Sequence, residues 1–456
     1  MSKKILLIIP KEYSAIIAVL LAIVMSVLDG TIMNIALPTL TESFGISAST
    51  SIWIVNAYQL VIAVLLLAMA SLGEIYGYRK IFLFGVTLFT LSSLSCAFCN
   101  SFASLTVARI VQGIGAASIM SVNPALIRLI YPPQYLGRGM GINAMVIAVS
   151  AAAGPSIAGT ILSVASWHWL FLINVPLGVV AYILGRKLLP DNPEKGTHKF
   201  DIIGAIETAL TFGLFIFAID DIAQGKDRSL IIVECILFLL IGYMLIRREL
   251  KQDHPILPLD LLKIPIFSMS IGASVCSFSA QMLAMISLPF FMQNILHFNP
   301  VEIGALLTPW PLASMISAPI SGRLIEKIHP GVLGGTGMLI FAIGLVSLRI
   351  LPSDPSAFNI VWRVALCGFG FGLFQTPNNV TIVSSAPTRR SGGASGMMGM
   401  ARLIGQTLGT SLVAFMFNLL PTGKKSAACI LLAMFFAIAA GIISVVRVTQ
   451  QSPLKK

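Results

Sequence analysis

Apolar stretches alternate with short polar breaks along nearly the whole chain. About twenty apolar residues in helical form cross the hydrocarbon core of a bilayer, whereas barrel strands would show alternating segments of about ten. The runs here are long and unbroken, and lipid tolerates only backbones that pair their own polar groups, so the pattern predicts membrane helices. Fourteen are expected, near 13–38, 50–72, 80–98, 103–130, 137–163, 167–189, 201–219, 229–246, 264–292, 301–323, 331–351, 357–383, 393–417 and 426–447. Lys3, Lys4 and Lys11 precede the first run as they would in a signal peptide, but it lacks a convincing small-residue cleavage site. It reads as an uncleaved first span.

Composition agrees: 56% of the 456 residues are hydrophobic and only 11% charged, against roughly 25% charged in soluble domains. The net charge of +12 does not indicate nucleic acid, because the basic residues sit at the ends of apolar runs instead of forming one face. They report topology. With the N-terminus inside, inner loops and tails hold 22 of the 30 Lys and Arg, and outer loops hold only Lys226, Arg228, Arg349, Lys424 and Lys425. That asymmetry places both termini in the cytoplasm, and it makes 201–219 and 229–246 a true pair of spans between Lys195/Lys199 and Arg247/Arg248. The halves also match at an offset of 255: Gly113, Gly115, Asn123, Gly141 and Gly154 against Gly368, Gly370, Asn378, Gly396 and Gly409. Repeated halves are how many secondary transporters frame a central site.

Ionised residues inside the spans carry the candidate chemistry, since each costs about 2.5–3.5 kcal/mol at mid-bilayer and must face a partner or a cavity. LDGTIMNIALP (28–38) puts Asp29 in the first span. Burial favours its neutral form and a nearby cation its charged form, so it can hold a proton or a cationic substrate in competition. The structural alternative is a cap near Gly30 or a bond to Asn34. LTVARIVQGIGAA (105–117) puts Arg109 in the fourth span; it cannot deprotonate, so it needs an anion or several carbonyls unless it snorkels to the interface. Whether the two touch is left open. Glu207 and Glu234 lie in the inserted pair, a location expected to be outside the core, and Arg363 and Arg402 lie in second-half spans without a role.

GINAMVIAVSAAAGPSIAG (141–159) offers Gly141, Gly154 and Gly159 for close helix approach and Pro155 for a bend. ASLGEIYGYRK (70–80) and GRLIEKIHP (322–330) place Glu74, Gly77, Arg79 and Lys80, then Glu326 and Lys327, in matching loops of the two halves. WHWLFLINVPLG (167–178) joins interfacial tryptophans to Asn174 and Pro176. Asn34, Trp53, Asn56, Tyr58, Gln59 and Asn378 are candidates for a substrate cavity. Cys96 and Cys99 form a CxxC that reads as apolar packing, GRGMG (137–141) follows a helix and not a strand, and no phosphate-binding loop or metal-ligand spacing occurs.

These segments together resemble the major facilitator superfamily, and within it the fourteen-span drug:proton antiporters. The resemblance implies an all-α membrane protein with the major facilitator fold: a six-helix bundle over 1–190, a linker with two extra helices over 191–262, and a second bundle over 263–456. It implies proton-driven efflux of lipophilic cations such as quaternary ammonium compounds, dyes and viologens, by a monomer in a bacterial inner membrane. No cofactor is implied beyond the proton motive force. Asp29 and Arg109 would couple protons to substrate, with Glu207 a further candidate; 141–159 would form the antiporter seam, and the 70–80 and 322–330 loops a cytoplasmic gate. Ala70, Glu74 and Ile75 depart from the family's gate pattern, and Ser150 and Ala158 stand where it has glycine. A dedicated exporter of one metabolite is the nearest rival reading and a non-transporting sensor the next. No nucleophile, base and metal constellation suggests an enzyme.

Overall fold

The computed structural model describes residues 14–46, 48–192, 199–224, 227–252, 255–298, 300–352, 355–420 and 422–449. Among them fourteen helices are long and apolar enough to cross a membrane, and no strand occurs. The first bundle comprises α1 (Ala15–Phe44), α2 (Trp53–Tyr76), α3 (Tyr78–Cys96), α4 (Phe102–Ile130), α5 (Leu136–Val164) and α6 (Asn174–Leu188). The inserted hairpin is α7 (Ile202–Gln224) and α8 (Arg228–Glu249). The second bundle is α9 (Pro265–Asn294), α10 (Pro309–Leu324), α11 (Pro330–Arg349), α12 (Ala357–Ser385), α13 (Ser391–Leu419) and α14 (Thr422–Val446). Lys3, Lys4, Lys11, Lys195 and Lys226, which bear on orientation, lie outside the described residues.

Local chemistry sets the helix ends. Gly45 closes α1 in the left-handed region at φ 63°, and Ser101 opens α4 with a capping box to Ser104. Gly77 alone separates α2 from α3, at φ 106°, where a side chain would be strained. Two expected spans are interrupted. A separate turn, Trp169–Leu172, precedes α6, and Pro300–Leu307 precedes α10, broken where Pro309 and Pro311 remove backbone donors.

Each bundle has its own apolar core. Val19, Ile23, Phe82, Phe89, Ile119 and Leu126 pack in the first, and Leu283, Leu288, Phe341, Phe374 and Ala433 in the second. The bundles meet along two main seams, α5 against α10 and α2 against α13. The 255-residue repeat reappears in these contacts. Gly115 approaches the α3 backbone at Phe89 as Gly370 approaches the α11 backbone at Phe341, and Gly141 meets α10 as Gly396 meets α2. The hairpin is not peripheral. α7 packs on both α2 and α13, while α8 packs on α7 and turns Leu239, Leu240 and Tyr243 outward.

Candidate transport site

Five helices of the first bundle converge on a buried polar cluster. Arg109 on α4 is 0% exposed and Asp29 on α1 only 1%. Arg109 Nη1 donates to Asp29 Oδ2 at 2.5 Å and to Gln112 Oε1 at 2.5 Å, and its Nε donates to the Ile54 carbonyl at 3.2 Å. The guanidinium lies 4.1 Å over the Tyr58 ring, whose hydroxyl donates to the Ser26 carbonyl. Asp29 Oδ1 accepts from Gln112 Nε2 and from Asn174 Nδ2, each at 3.0 Å, and Gln112 also donates to Ser93 Oγ on α3. Every hydrogen-bonded neighbour of the Asp29 carboxyl is thus a donor. Arg109 Nη2 and Asn174 Oδ1 remain without a hydrogen-bond partner.

A cavity of about 620 Å³ opens on the other face of α2. Trp53, Asn56, Gln59, Leu60 and Ala63 line it from α2, with Asn34 of α1, Ile216, Phe217 and Ile219 of α7, Met282 of α9, and Leu403, Gln406, Thr407, Thr410 and Ser411 of α13. Helical spacing explains the division: Ile54 and Tyr58, four apart, face the cluster, while Trp53, Asn56, Leu60 and Ala63 follow the opposite stripe. The lining is apolar and aromatic with amides and hydroxyls, and no acidic residue belongs to it. Trp53 and Phe217 bring their rings to 6.2 Å across the wall.

The bundles are locked together at the end where α2 turns into α3. Glu74, 3% exposed, accepts from Arg390 Nη1 at 2.9 Å and from the Gly393 amide at 2.6 Å, which places its charge at the N-terminus of α13. Arg390 also grips Asp260 through two bonds, of 3.0 and 2.8 Å, and donates to the Pro255 carbonyl. Gly392 donates to the Tyr78 hydroxyl, and Arg128 to Ser391. Arg138 of α5 meets Glu326, beyond α10, in a two-bond pair of 2.5 and 2.9 Å. The hydrogen bond from Arg138 holds the Glu326 carboxyl below its ordinary range.

Several expectations need correction. Asp29 and Arg109 do touch, but neither lines the cavity, so direct competition of proton and substrate at Asp29 is not the geometry present. Asn34, Trp53, Asn56 and Gln59 do line it; Tyr58 belongs to the buried cluster, and Asn378 to a second-bundle network with Ser270, Ser274 and Arg447. Glu207 lies 3.8 Å from Arg248 inside the hairpin, away from both cluster and cavity. Of the seam residues, Gly141 meets α10, whereas a side chain at Gly154 would strike Thr31 of its own bundle, and Gly159 faces open space; Pro155 lies within an unbroken α5. Arg79 pairs with Asp191 and the Arg186 carbonyl within the first bundle, and Lys80 and Lys327 are exposed, so the cross-bundle bases are Arg390 and Arg138 instead. Gln112 was legible in hindsight, three residues after Arg109 on the same helical face.

Comparison with known proteins bears on this architecture. The Major Facilitator Superfamily matches residues 19–410. The chain is 52% identical to the uncharacterized transporter YebQ of Escherichia coli K12 over 97% of each chain. It is 29% identical to the riboflavin transporter RibZ of Clostridioides difficile, over 89% of this chain and 88% of RibZ. It is also 29% identical to the multidrug resistance protein Stp of Mycobacterium tuberculosis, over 87% of this chain and 74% of Stp. Among solved structures, the human organic anion transporter MFSD10 superposes with a TM-score of 0.70 over 96% of this chain and 100% of that one; at 14% identity the likeness is one of fold alone.

Proposed function

Because the chain belongs to the major facilitator superfamily, we propose that this multi-pass membrane transporter expels lipophilic organic molecules in exchange for protons. The observation that carries the reading is the buried Asp29–Arg109 pair behind the cavity wall. Protonating Asp29 neutralises the carboxylate and requires an acceptor for its new proton. The unpartnered Asn174 Oδ1, on the same amide that now donates to Asp29, supplies one if that amide turns. Arg109 is then left buried without its counter-ion, a state costly enough to favour rearrangement. Because Ile54 and Tyr58 hold Arg109 from α2, the rearrangement is passed to the helix that presents Trp53, Asn56 and Gln59 to substrate.

In this scheme the locked end is cytoplasmic, the cavity opens outward, both termini are cytoplasmic, and a monomer in a bacterial inner membrane suffices. Stp is named for multidrug resistance and supports a broad substrate range; RibZ, named for riboflavin, supports the narrower alternative. The cations suggested by the sequence would meet ring faces and amide oxygens here, because the lining offers no carboxylate. Inverted vesicles challenged with lipophilic ring compounds of either charge should release protons from an acidified lumen. Asp29→Asn, inserted to the same level, should abolish the release while still binding the compounds. Equal release from both proteins would remove Asp29 from the coupling path, and no release with any compound would defeat proton exchange. Protection of cells against one compound only would favour the narrow exporter.

A further inference from the structure

Arginines of the second bundle differ in what satisfies them. Arg390 has two carboxylates, Glu74 and Asp260. Arg447, 1% exposed, donates to Ser270, Asn378 and Ser444, and Arg363 to the backbone and side chain of Asn359. Arg402 is different. Midway along α13 and half-buried, it makes no hydrogen bond or ion pair among the described residues; its neighbour is the face of Phe278 on α9, 5.8 Å away. A guanidinium has five donors and keeps its charge, so at this depth it calls for an anion or a set of neutral acceptors, and Arg402 has neither among the described residues.

The position of Arg402 says where that anion comes from. Leu403, next in sequence, and Gln406, one turn on, line the cavity, and Phe278 stands one turn before Met282, which lines it from α9. Arg402 and Phe278, which do not themselves line the cavity, therefore lie one turn from Gln406 and Met282 on the side of the locked end. No carboxylate belongs to the lining, and Asp29, Glu74 and Asp260 are each engaged by another arginine.

We infer that Arg402 receives an acidic group of the substrate, so the cavity takes ring-bearing molecules that carry a carboxylate or similar anion. The ring would lie against Trp53 and Phe217, the amides and hydroxyls of α13 would meet its polar edge, and the anion would reach down to the guanidinium. Guanidinium and carboxylate match in a planar two-bond geometry, which a lysine reproduces only in charge. This assignment rests on the cavity being the transport site and names the class of compound it handles.

The test is equilibrium binding to the purified full chain, read by energy transfer from tryptophan to pyrene. Three probes share one ring: pyrenebutyrate, its methyl ester, and pyrenebutyl-trimethylammonium. Wild type should prefer the acid over the ester and the cation by about tenfold or more, the discrimination expected of a charge-assisted pair. Arg402→Gln should erase the preference without weakening ester binding, and Arg402→Lys should retain part of it. A wild-type preference for the cation, an acid preference that survives Arg402→Gln, an equal loss of all three probes in Arg402→Gln, or no binding of the acid would each overturn the assignment. Proton release that depends on Asp29 is measured separately, so exchange can stand when the acid preference fails, and fail when it stands.

Discussion

Arg390 and Arg138 both bridge the bundles, yet their surroundings make them unequal. The Arg390–Glu74 pair is nearly dry, with side chains 8% and 2% exposed, whereas Arg138 and Glu326 keep contact with solvent. Removing one partner of a buried pair strands the other and costs about 3–5 kcal/mol, while exposed pairs are screened. Arg390→Gln should therefore shift the locked end decisively open, and Arg138→Gln only slightly, as read by distances between spin labels placed across it. Similar distances in both variants would show that burial does not rank the two pairs. Acid tests the weaker pair separately. Because Arg138 lowers the Glu326 pKa, its contribution is complete above the ordinary carboxylate value and is lost only as pH falls through the lowered one. In the Arg390→Gln background, closure through this pair should stay flat from neutral pH down to the ordinary carboxylate value and decline below it. Glu74 was legible in sequence from its loop; Arg390 was not, because its acids come from α2 and from the segment before α9, and a terminal arginine otherwise reads as a topology signal.

At the scale of helices, the seam depends on where small residues face. A Cβ at Gly141 would lie 2.8 Å from the Ala318 carbonyl and 3.2 Å from Pro319 Cα, both backbone, and one at Gly159 would meet nothing within 4 Å. Gly141→Val should wedge α5 from α10 near the locked end, where overpacking costs about 1–3 kcal/mol. The result would be labelling of cysteines introduced at that end and loss of transport. Gly159→Val should change neither. Wild-type behaviour of Gly141→Val would show that the seam does not need this close approach. The spans themselves were readable to within a few residues because lipid demands long apolar runs. The two faces of α2 and the role of α7 were not, because a helix that is apolar nearly all round does not announce which side meets cavity, cluster or lipid.

At the scale of the molecule, the two locks are one arrangement used twice. Glu326 follows Glu74 by 252 positions (326 − 74) in the matching loop, Arg138 and Arg390 stand at the starts of α5 and α13, and each acid meets the base of the opposite bundle. The repeated glycines had exposed the duplication in sequence, but the exchange of partners could appear only once the bundles were set side by side. Such reciprocity is how identical subunits contact each other across a two-fold axis. Two fragments divided within 193–198, between α6 and α7, should thus assemble when made together and restore the proton release that neither shows alone. Failure to assemble, with both present in the membrane, would make the covalent tie essential. If they do assemble, the connecting segment is a tether added to a pairing already encoded. The closing surface is then complete in the two bundles themselves and owes nothing to the chain that joins them.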